Sequence, residues 1–231
     1  MSCLQKLEIM DTKNGVVETH YGNGQLRTRE NYKNGELNGL RESWYDNGKP
    51  WIKANYKNGK LEGLSETWSR DGQLWTRATY KDGKLDGFRE AWYDNGKPCS
   101  RANYKNCNLD GLREWWKDNG NLKLISTYKD GKLNGLCETW YDNNQLESRE
   151  VYKNDKRDGL REVWYANGQQ LLRANYKDDK LNGLREEWHG NGQLQSRANY
   201  KDGNLNGLRE TWRINGELSS SATYKDGVAV K

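Results

Sequence analysis

A single tyrosine recurs every 24 residues through this chain, and that fixed period is the strongest constraint on its fold. Self-similarity at a short, constant period is typical of repeat arrays, in which each copy packs against its neighbours. We number each copy from 1 to 24, starting at the tyrosine. The period predicts a lead over residues 1–7, nine 24-residue repeats over 8–223 and a partial repeat or cap over 224–231. The tyrosines that set it are Tyr32, Tyr56, Tyr80, Tyr104, Tyr128, Tyr152, Tyr176, Tyr200 and Tyr224.

Each repeat has the turn residues of a β-hairpin. Position 8 is glycine in all nine copies, and positions 16–17 are Asn-Gly or a close equivalent. Two glycine-containing turns per repeat leave no segment long enough for a helix. We expect strands over about positions 9–14 and 18–24, a two-residue Asn-Gly turn between them, and a longer glycine-rich connection to the next copy. A crossover helix does not fit, so neighbouring strands must be antiparallel.

Position 11 is glutamate in all nine copies, and the predicted hairpin gives it a partner. In the copy that contains Glu186, a two-residue turn places Glu186 opposite Arg197, Trp188 opposite Gln195 and His189 opposite Leu194. One face then carries positions 9, 11, 13 and 22, and the other carries positions 1, 14, 19 and 23. The same register pairs Glu18 with Arg29, Glu42 with Lys53, Glu66 with Arg77, Glu90 with Arg101, Glu138 with Arg149 and Glu162 with Arg173, whereas Ile125 faces Glu114 and Ser221 faces Glu210.

Nine equivalent glutamates argue against catalysis, because a catalytic carboxylate needs an environment unlike the others. We interpret His20 as a replacement of tryptophan in a divergent first copy, and His189 as a surface variant of the tyrosine at position 14. The sequence therefore predicts no enzyme, no catalytic or metal site and no cofactor. The residues predicted to form a structural ladder are Glu42, Glu66, Glu90, Glu138, Glu162, Glu186, Trp44, Trp68, Trp92 and Trp188.

The composition favours an open sheet over an ordinary core. Hydrophobic residues make up 33% of the chain and the mean hydropathy is -1.23, yet there are 11 Trp and 14 Tyr. Large, regularly placed aromatic side chains supply most of the area available for burial. The predicted fold is all-β: an elongated array of stacked antiparallel β-hairpins that form a single-layer twisted sheet. At ~4.8 Å per strand, its length is on the order of 85 Å, and a compact particle in small-angle scattering would contradict it.

The charge pattern and the cysteines limit which functions and compartments we expect for this protein. The net charge is +5, with basic and acidic residues interspersed, and this pattern does not favour nucleic-acid binding. Cys3, Cys99, Cys107 and Cys137 fit no metal-binding spacing, so we expect free thiols in a reducing, cytoplasmic setting, which for a viral protein would be the host cytosol or the virion. No apolar run has the length of a signal peptide core or a membrane span, so we expect neither.

The consensus "YKDGKLNGLREEWYxNGQLxxRANY" resembles the MORN-repeat variant. The resemblance is carried by tyrosine at position 1, glycine at 4 and 8, tryptophan at 13 and Asn-Gly at 16–17. That variant occurs in bacterial proteins labelled YwqK-like antitoxins and in arrays from large DNA viruses and protists. The resemblance implies stacked β-hairpins in an elongated twisted sheet, and it supplies no catalytic residues.

These features predict a scaffold that binds another protein through an extended aromatic and charged surface. One alternative is peripheral binding of anionic lipid headgroups by lysine at position 2 and arginine at positions 10 and 22. A second alternative, implied by the resemblance, is an antitoxin that blocks a toxin. Self-association through a sheet end is also open. The candidate interaction surface consists of copies that depart from the consensus and of neighbouring residues: Trp51, Trp75, Trp115, Tyr45, Tyr93 and Arg101.

Overall fold

The computed structural model describes residues 13–230, and every regular element in that range is a β-strand. The predicted lead, Cys3 and the start of the first repeat lie outside the described residues. Strands of about eight or nine residues alternate with short turns, as the 24-residue period requires. By its contacts the chain divides into two compact units, with the boundary after Gly96.

The first unit contains seven described strands, each antiparallel to its sequence neighbours within the unit. They are β1 (Gly15–His20), β2 (Leu26–Lys33), β3 (Glu36–Trp44), β4 (Pro50–Lys57), β5 (Lys60–Trp68), β6 (Leu74–Lys81) and β7 (Lys84–Trp92). The chain therefore meanders: each strand leads by a turn into the strand beside it.

The second unit continues the same pattern with twelve described strands, again antiparallel between sequence neighbours. They are β8 (Pro98–Lys105), β9 (Asn108–Trp116), β10 (Leu122–Lys129), β11 (Lys132–Trp140), β12 (Leu146–Lys153), β13 (Lys156–Trp164), β14 (Gln170–Lys177), β15 (Lys180–Trp188), β16 (Leu194–Lys201), β17 (Asn204–Trp212), β18 (Leu218–Lys225) and β19 (Val228–Val230). The prediction of an all-β array of antiparallel hairpins is confirmed.

Few side chains in this sheet are fully buried. Extensive strand contacts join sequence neighbours only, so within each unit the described strands form one layer. The buried apolar residues are small, apart from one leucine, because a single layer has no second sheet or helix to cover large groups. They are Ala54 and Ala78 in the first unit, and Ala102, Leu172, Ala174 and Ala198 in the second.

The connection between successive hairpins is tighter than the sequence suggested. Lys33 pairs with Glu36, which leaves only Asn34 and Gly35 in the turn, with φ of 53° and 83°. Positive φ at both central residues is the requirement of a type I′ hairpin turn. The expected longer connection is therefore wrong, and the following strand begins at position 5. Gly39 at position 8 lies in a bulge of that strand, with φ of 112°.

The Asn-Gly segment at positions 16–17 forms a longer loop than predicted. The Gly192 N–H donates to the His189 carbonyl and the His189 N–H donates to the Gln193 carbonyl, each at 2.8 Å. Trp188 consequently pairs with Leu194, so the predicted two-residue turn and its Trp188–Gln195 and His189–Leu194 pairings are wrong. A three-residue loop of this kind needs positive φ only at its last residue, here Gly192 at 84°.

A one-residue bulge after this loop restores the predicted glutamate register. The pairing shifts between Trp188–Leu194 and Glu187–Ser196, so that Gln195 is an extra residue. Beyond the bulge Glu186 lies opposite Arg197, as predicted. Position 19 now pairs with the tryptophan at position 13, and directly opposed residues share a face of the sheet. The prediction that position 19 lies on the tyrosine side is therefore wrong.

Hydrogen bonds between successive loops link each repeat to the next. The Asn191 Oδ1 accepts the Gln193 N–H at 3.1 Å, and its Nδ2 donates to the Ile214 carbonyl one repeat later at 3.0 Å. At position 14, the Tyr45 hydroxyl donates to the Trp68 carbonyl at 2.8 Å. These bonds occupy polar groups at the sheet margin and fix the stacking of neighbouring hairpins. The bond from the asparagine Nδ2 to a carbonyl of the next repeat recurs at Asn23, Asn47, Asn143 and Asn167.

Candidate interaction surface

The two faces of the sheet have different chemistry. We call the side with positions 9, 11, 13 and 22 the glutamate face, and the side with positions 1, 10, 12, 14, 20 and 23 the tyrosine face. On the glutamate face, the Arg29 guanidinium lies 5.9 Å from the ring centre of Trp44. On the tyrosine face, the Arg113 guanidinium lies 5.7 Å from the ring centre of Trp115. Arginines at positions 10 and 22 thus lie on opposite faces and do not form one basic surface.

The glutamate face carries ion pairs both within and between hairpins. Arg197 is 2.8 Å from Glu186 in its own hairpin, and it also lies opposite Glu210 of the next. Arg29 forms both kinds of pair: it is 2.7 Å from Glu18 in its own hairpin and 3.9 Å from Glu42 in the next. The predicted pairs inside hairpins are confirmed for Lys53–Glu42 at 3.7 Å, Arg77–Glu66 at 2.8 Å and Arg149–Glu138 at 2.7 Å, and Glu162 lies opposite Arg173.

The other members of the predicted ladder lie on the same face at strand ends. Trp44, Trp68, Trp92 and Trp188 are the last residues of β3, β5, β7 and β15, and all four are half-buried. Glu90 lies opposite Arg77. The placement supports a structural role, since each tryptophan is partly covered by its neighbours and each glutamate faces a cation.

The tyrosine face has a row of mostly buried residues at position 23. The row is alanine in most copies, glutamate at Glu30 and Glu150, and serine at Ser126. The Ser126 hydroxyl is buried without a hydrogen-bond partner in the described part of the chain. The two glutamates are the chemically distinct members, because a carboxylate in this row must be satisfied by neighbouring donors.

Glu150 is satisfied by three donors on the tyrosine face. It accepts hydrogen bonds from the Tyr152 hydroxyl at 2.8 Å, Arg157 Nε at 2.6 Å and Arg161 Nε at 3.0 Å. Burial alone raises the pKa of Glu150, but these hydrogen bonds outweigh it, so the net pKa is lowered. Burial and the hydrogen bond to Glu150 raise the pKa of Tyr152 to about 12. Burial, followed by the charges of Glu150 and Glu138, raises the pKa of the Cys137 thiol.

Glu30 has the same arrangement in the first unit. Arg41 Nε donates to it at 2.9 Å and the Tyr32 hydroxyl at 2.8 Å. The hydrogen bond from Arg41 is the main reason that the pKa of Glu30 is lowered. The same donor set, arginine at position 10 and tyrosine at position 1, therefore binds a carboxylate in two separate repeats.

Two of the predicted surface tryptophans are exposed on the tyrosine face of the first unit. Trp51 is 44% exposed and Trp75 is 46% exposed. The rings of Tyr45 and Trp51 are 5.8 Å apart, and the Trp75 indole donates to Asp94 Oδ1 at 2.9 Å. Both indoles thus contact a neighbouring side chain while nearly half of each residue's surface stays open to solvent. Tyr93, which is half-buried, lies in the loop after β7.

Trp115 lies in a groove of about 500 Å³ on the tyrosine face of the second unit. Leu124 and Tyr141 also line the groove, and Lys123 Nζ lies 4.6 Å from the Trp115 ring centre. Lys117 takes the place of the tyrosine at position 14 and forms an ion pair with Asp142. An indole beside an ammonium group suits an aromatic or acidic side chain of a binding partner.

Arg101 lies on the opposite face of the sheet from Trp115. Its guanidinium lies 5.8 Å from the ring centre of Trp116 and 3.6 Å from Glu114, both on the glutamate face. Because side chains alternate along β9, Trp115 points to the opposite side. The structure thus separates this predicted surface residue from Trp115, the aromatic candidate of its own unit.

The two histidines occupy the positions that the sequence suggested. His20 pairs with Leu26, as tryptophan does with position 19 in later copies. His189 is half-buried, and its Nε2 lies 3.3 Å from the Trp212 carbonyl oxygen, where tyrosine hydroxyls bind in other repeats. Cys99, Cys107 and Cys137 are free thiols. Within residues 13–230, no cluster of side chains suits a metal ion and no helix is long and apolar enough to cross a membrane.

Sequence reasoning did not identify Glu30, Glu150, Arg157 or Lys123 as notable. A signal was present for the two glutamates, since they interrupt a row of alanines at position 23, and Arg157 was visible only as a break in a row of leucines. The proximity of these residues depends on which face each position occupies. For the two glutamates it also depends on the bulge at position 8, which places position 10 opposite position 23 and which the repeat pattern alone does not reveal.

The family comparison agrees with the hairpin architecture. The family model described as MORN repeat variant matches eight consecutive segments, each running from position 6 of one copy to position 3 of the next: residues 13–34, 37–58, 61–82, 85–106, 109–130, 133–154, 157–178 and 181–202. No curated protein matches the chain. The matched segments cover well over half of the sequence and begin and end at the type I′ turns. The chain therefore belongs to the family of MORN-repeat-variant proteins.

Proposed function

We propose that this protein is a non-enzymatic scaffold that binds another protein through the tyrosine face. The observation that carries the proposal is the pair of exposed indoles at Trp51 and Trp75. Tryptophan and tyrosine dominate the energetic centres of protein interfaces, and exposed tryptophans held by neighbours lose little entropy on binding. The free thiols fit a cytoplasmic setting.

The geometry of the two indoles suits an extended contact. Trp51 is in β4 and Trp75 is in β6, with β5 between them. At a strand spacing of ~4.8 Å, their backbones are about 10 Å apart. One partner segment can therefore contact both rings while it also reaches the ring of Tyr45 beside Trp51.

The test is affinity capture from the native source, with mass spectrometry to identify what binds. We expect wild-type protein to enrich a partner that the Trp51→Ser/Trp75→Ser double variant loses. Leu64→Ser is the matched control, because Leu64 is 39% exposed but lies on the glutamate face. Exposed substitutions of this kind change stability by less than ~0.5 kcal/mol, so unfolding measurements separate lost binding from lost folding.

Equal enrichment by all three proteins would refute the tyrosine face as the interface. A partner that proves to be a toxin would make the scaffold an antitoxin. Salt-sensitive sedimentation with phosphatidylserine vesicles, and none with phosphatidylcholine vesicles, would favour lipid binding in place of the protein partner.

A further inference from the structure

We propose that the tyrosine face above Ala198 is a binding site for a carboxylate of the partner, an aspartate or glutamate side chain. The inference rests on the proposed function, because it states the chemistry of the partner. It starts from the row at position 23, in which Glu30 and Glu150 each place a carboxylate between an arginine and a tyrosine of the same face. In effect, the chain contains two occupied examples of such a site.

Ala198 occupies the equivalent position with no carboxylate of its own. It lies opposite Arg185 on one side and opposite Arg209 on the other. Glu150, by comparison, lies opposite Cys137 and Arg161. The Ala198 position thus has a guanidinium group opposite it on each side, whereas Glu150 has one opposite it and takes a second from Arg157. The side chain of Ala198 extends no further than a methyl group.

The donors around Ala198 are not all used within the protein. Arg185 forms an ion pair with Glu187, which also accepts a hydrogen bond from the Ser196 hydroxyl at 2.9 Å. In residues 13–230, neither the Arg209 guanidinium nor the Tyr200 hydroxyl has a hydrogen bond or an ion pair. In the Glu150 repeat the corresponding groups, Arg161 and Tyr152, both bind the carboxylate.

A concavity provides room for the missing carboxylate. It has a volume of about 270 Å³ and is lined by Arg185, His189, Tyr200, Arg209, Thr211 and Ser219, among others. Two guanidinium groups and one carboxylate, Glu187, line it, so one positive charge is in excess. Arginine recognises carboxylates through charge-assisted, directional hydrogen bonds, and these are about twice as strong as neutral ones. An acidic side chain therefore fits the donors, the charge and the space.

Nuclear magnetic resonance on the full chain tests the site directly. The probe is the peptide Ac-Gly-Glu-Gly-Glu-Gly-NH2, with its glutamine analogue and inorganic phosphate as separate arms. We expect the acidic peptide to shift the Arg209 Nε–H resonance in a saturable way and the glutamine peptide to leave it unchanged. Phosphate that binds as tightly as the peptide would show a general anion site and overturn the assignment.

Ala198→Glu is the decisive variant, because it supplies the carboxylate internally, as Glu150 does. We expect it to move the free Arg209 resonance and to weaken peptide binding at least tenfold, which corresponds to the loss of one charged contact. Ala54→Glu is the matched control, since Ala54 is in the same row of the other unit and should leave the Arg209 titration unchanged. If Ala198→Glu fails to fold, Arg209→Gln must give the same tenfold loss.

Peptide binding that is unaffected by Ala198→Glu or Arg209→Gln, or no shift of Arg209 at all, would refute the site. That failure is distinguishable from failure of the proposed function. The capture experiment depends on Trp51 and Trp75 in the first unit, so a partner lost only by those variants would retain the scaffold role without this carboxylate site.

Discussion

Exchanging the charges of Glu186 and Arg197 tests whether the ion pairs on the glutamate face are isolated or form a continuous ladder. If the pair were isolated, each single reversal would replace one attraction by one repulsion, and the double exchange would restore the original energy. In the structure Glu186 also lies opposite Arg173, and Arg197 also lies opposite Glu210. The exchange therefore creates a like-charge contact on each side of the restored pair.

The magnitudes follow from the cross-strand contacts. Arg197 is 49% exposed, so we take ~0.5 kcal/mol for the direct pair and about half of that for each longer contact between hairpins. Each single reversal then costs about 1.5 kcal/mol, which is 1.0 from the direct pair and 0.5 from the neighbouring hairpin. The double exchange restores the direct pair but reverses both neighbouring contacts, so it still costs about 1.0 kcal/mol.

Urea unfolding followed by tryptophan fluorescence measures these differences, provided that the slope of the transition is unchanged. The control is the same exchange in a background with Arg173→Gln and Glu210→Gln, where neighbouring charges are absent. There we expect the double exchange to be as stable as its own background. Full rescue in the wild-type background would refute the continuous ladder.

Three further predictions use the same unfolding assay. Ser126→Ala should stabilise the protein by ~1 kcal/mol, because it removes a buried hydroxyl that has no partner; a destabilised variant would point to an unseen hydrogen bond. Cys107→Gly should stabilise by about 0.5–1 kcal/mol, since Cys107 has φ of 67°, whereas Asp179→Gly should gain less because the Asp179 carboxylate accepts a backbone N–H at 2.9 Å. Equal gains would contradict this account. Glu150→Gln should cost ~1 kcal/mol at neutral pH. Because the folded pKa of Glu150 is lowered, its contribution is complete above the unfolded pKa of about 4.3 and is lost as pH falls through the folded pKa. The difference in unfolding free energy between wild type and Glu150→Gln should therefore disappear in acid. A difference that stays constant with pH would refute the lowered pKa of Glu150.

Much of the glutamate face could be predicted from the repeat. The Glu186–Arg197 register was correct even though the predicted turn was wrong. A two-residue turn gives that register directly, while the three-residue loop gives it only after the extra residue Gln195 shifts the strand. Beyond the bulge, the two-residue turn and the bulged three-residue loop give the same residue pairs. Charge complementarity therefore identified the pair but could not identify the type of turn.

The candidate surface was predictable only in part. Trp51 and Trp75 were recognisable as departures from the consensus, and both are exposed. Arg101 was grouped with them because it is near in sequence, but the strand places it on the other face, against Trp116. The carboxylate-binding donors were missed, because arginine at position 10 and tyrosine at position 1 come together only when position 8 bulges.

The sequence by itself determined the period, the antiparallel order of strands and, in most copies, the pairing of glutamate with a cation inside the hairpin. These features are local, since they depend on turn residues and on partners within one 24-residue repeat. Only the tertiary structure decided that the pairs continue between hairpins, that Glu30 and Glu150 lie among arginine and tyrosine donors, and that Ala198 faces two arginines. The physical reason is that a bulge at position 8 sets which residues of successive hairpins lie opposite one another, and the repeat pattern does not specify that bulge.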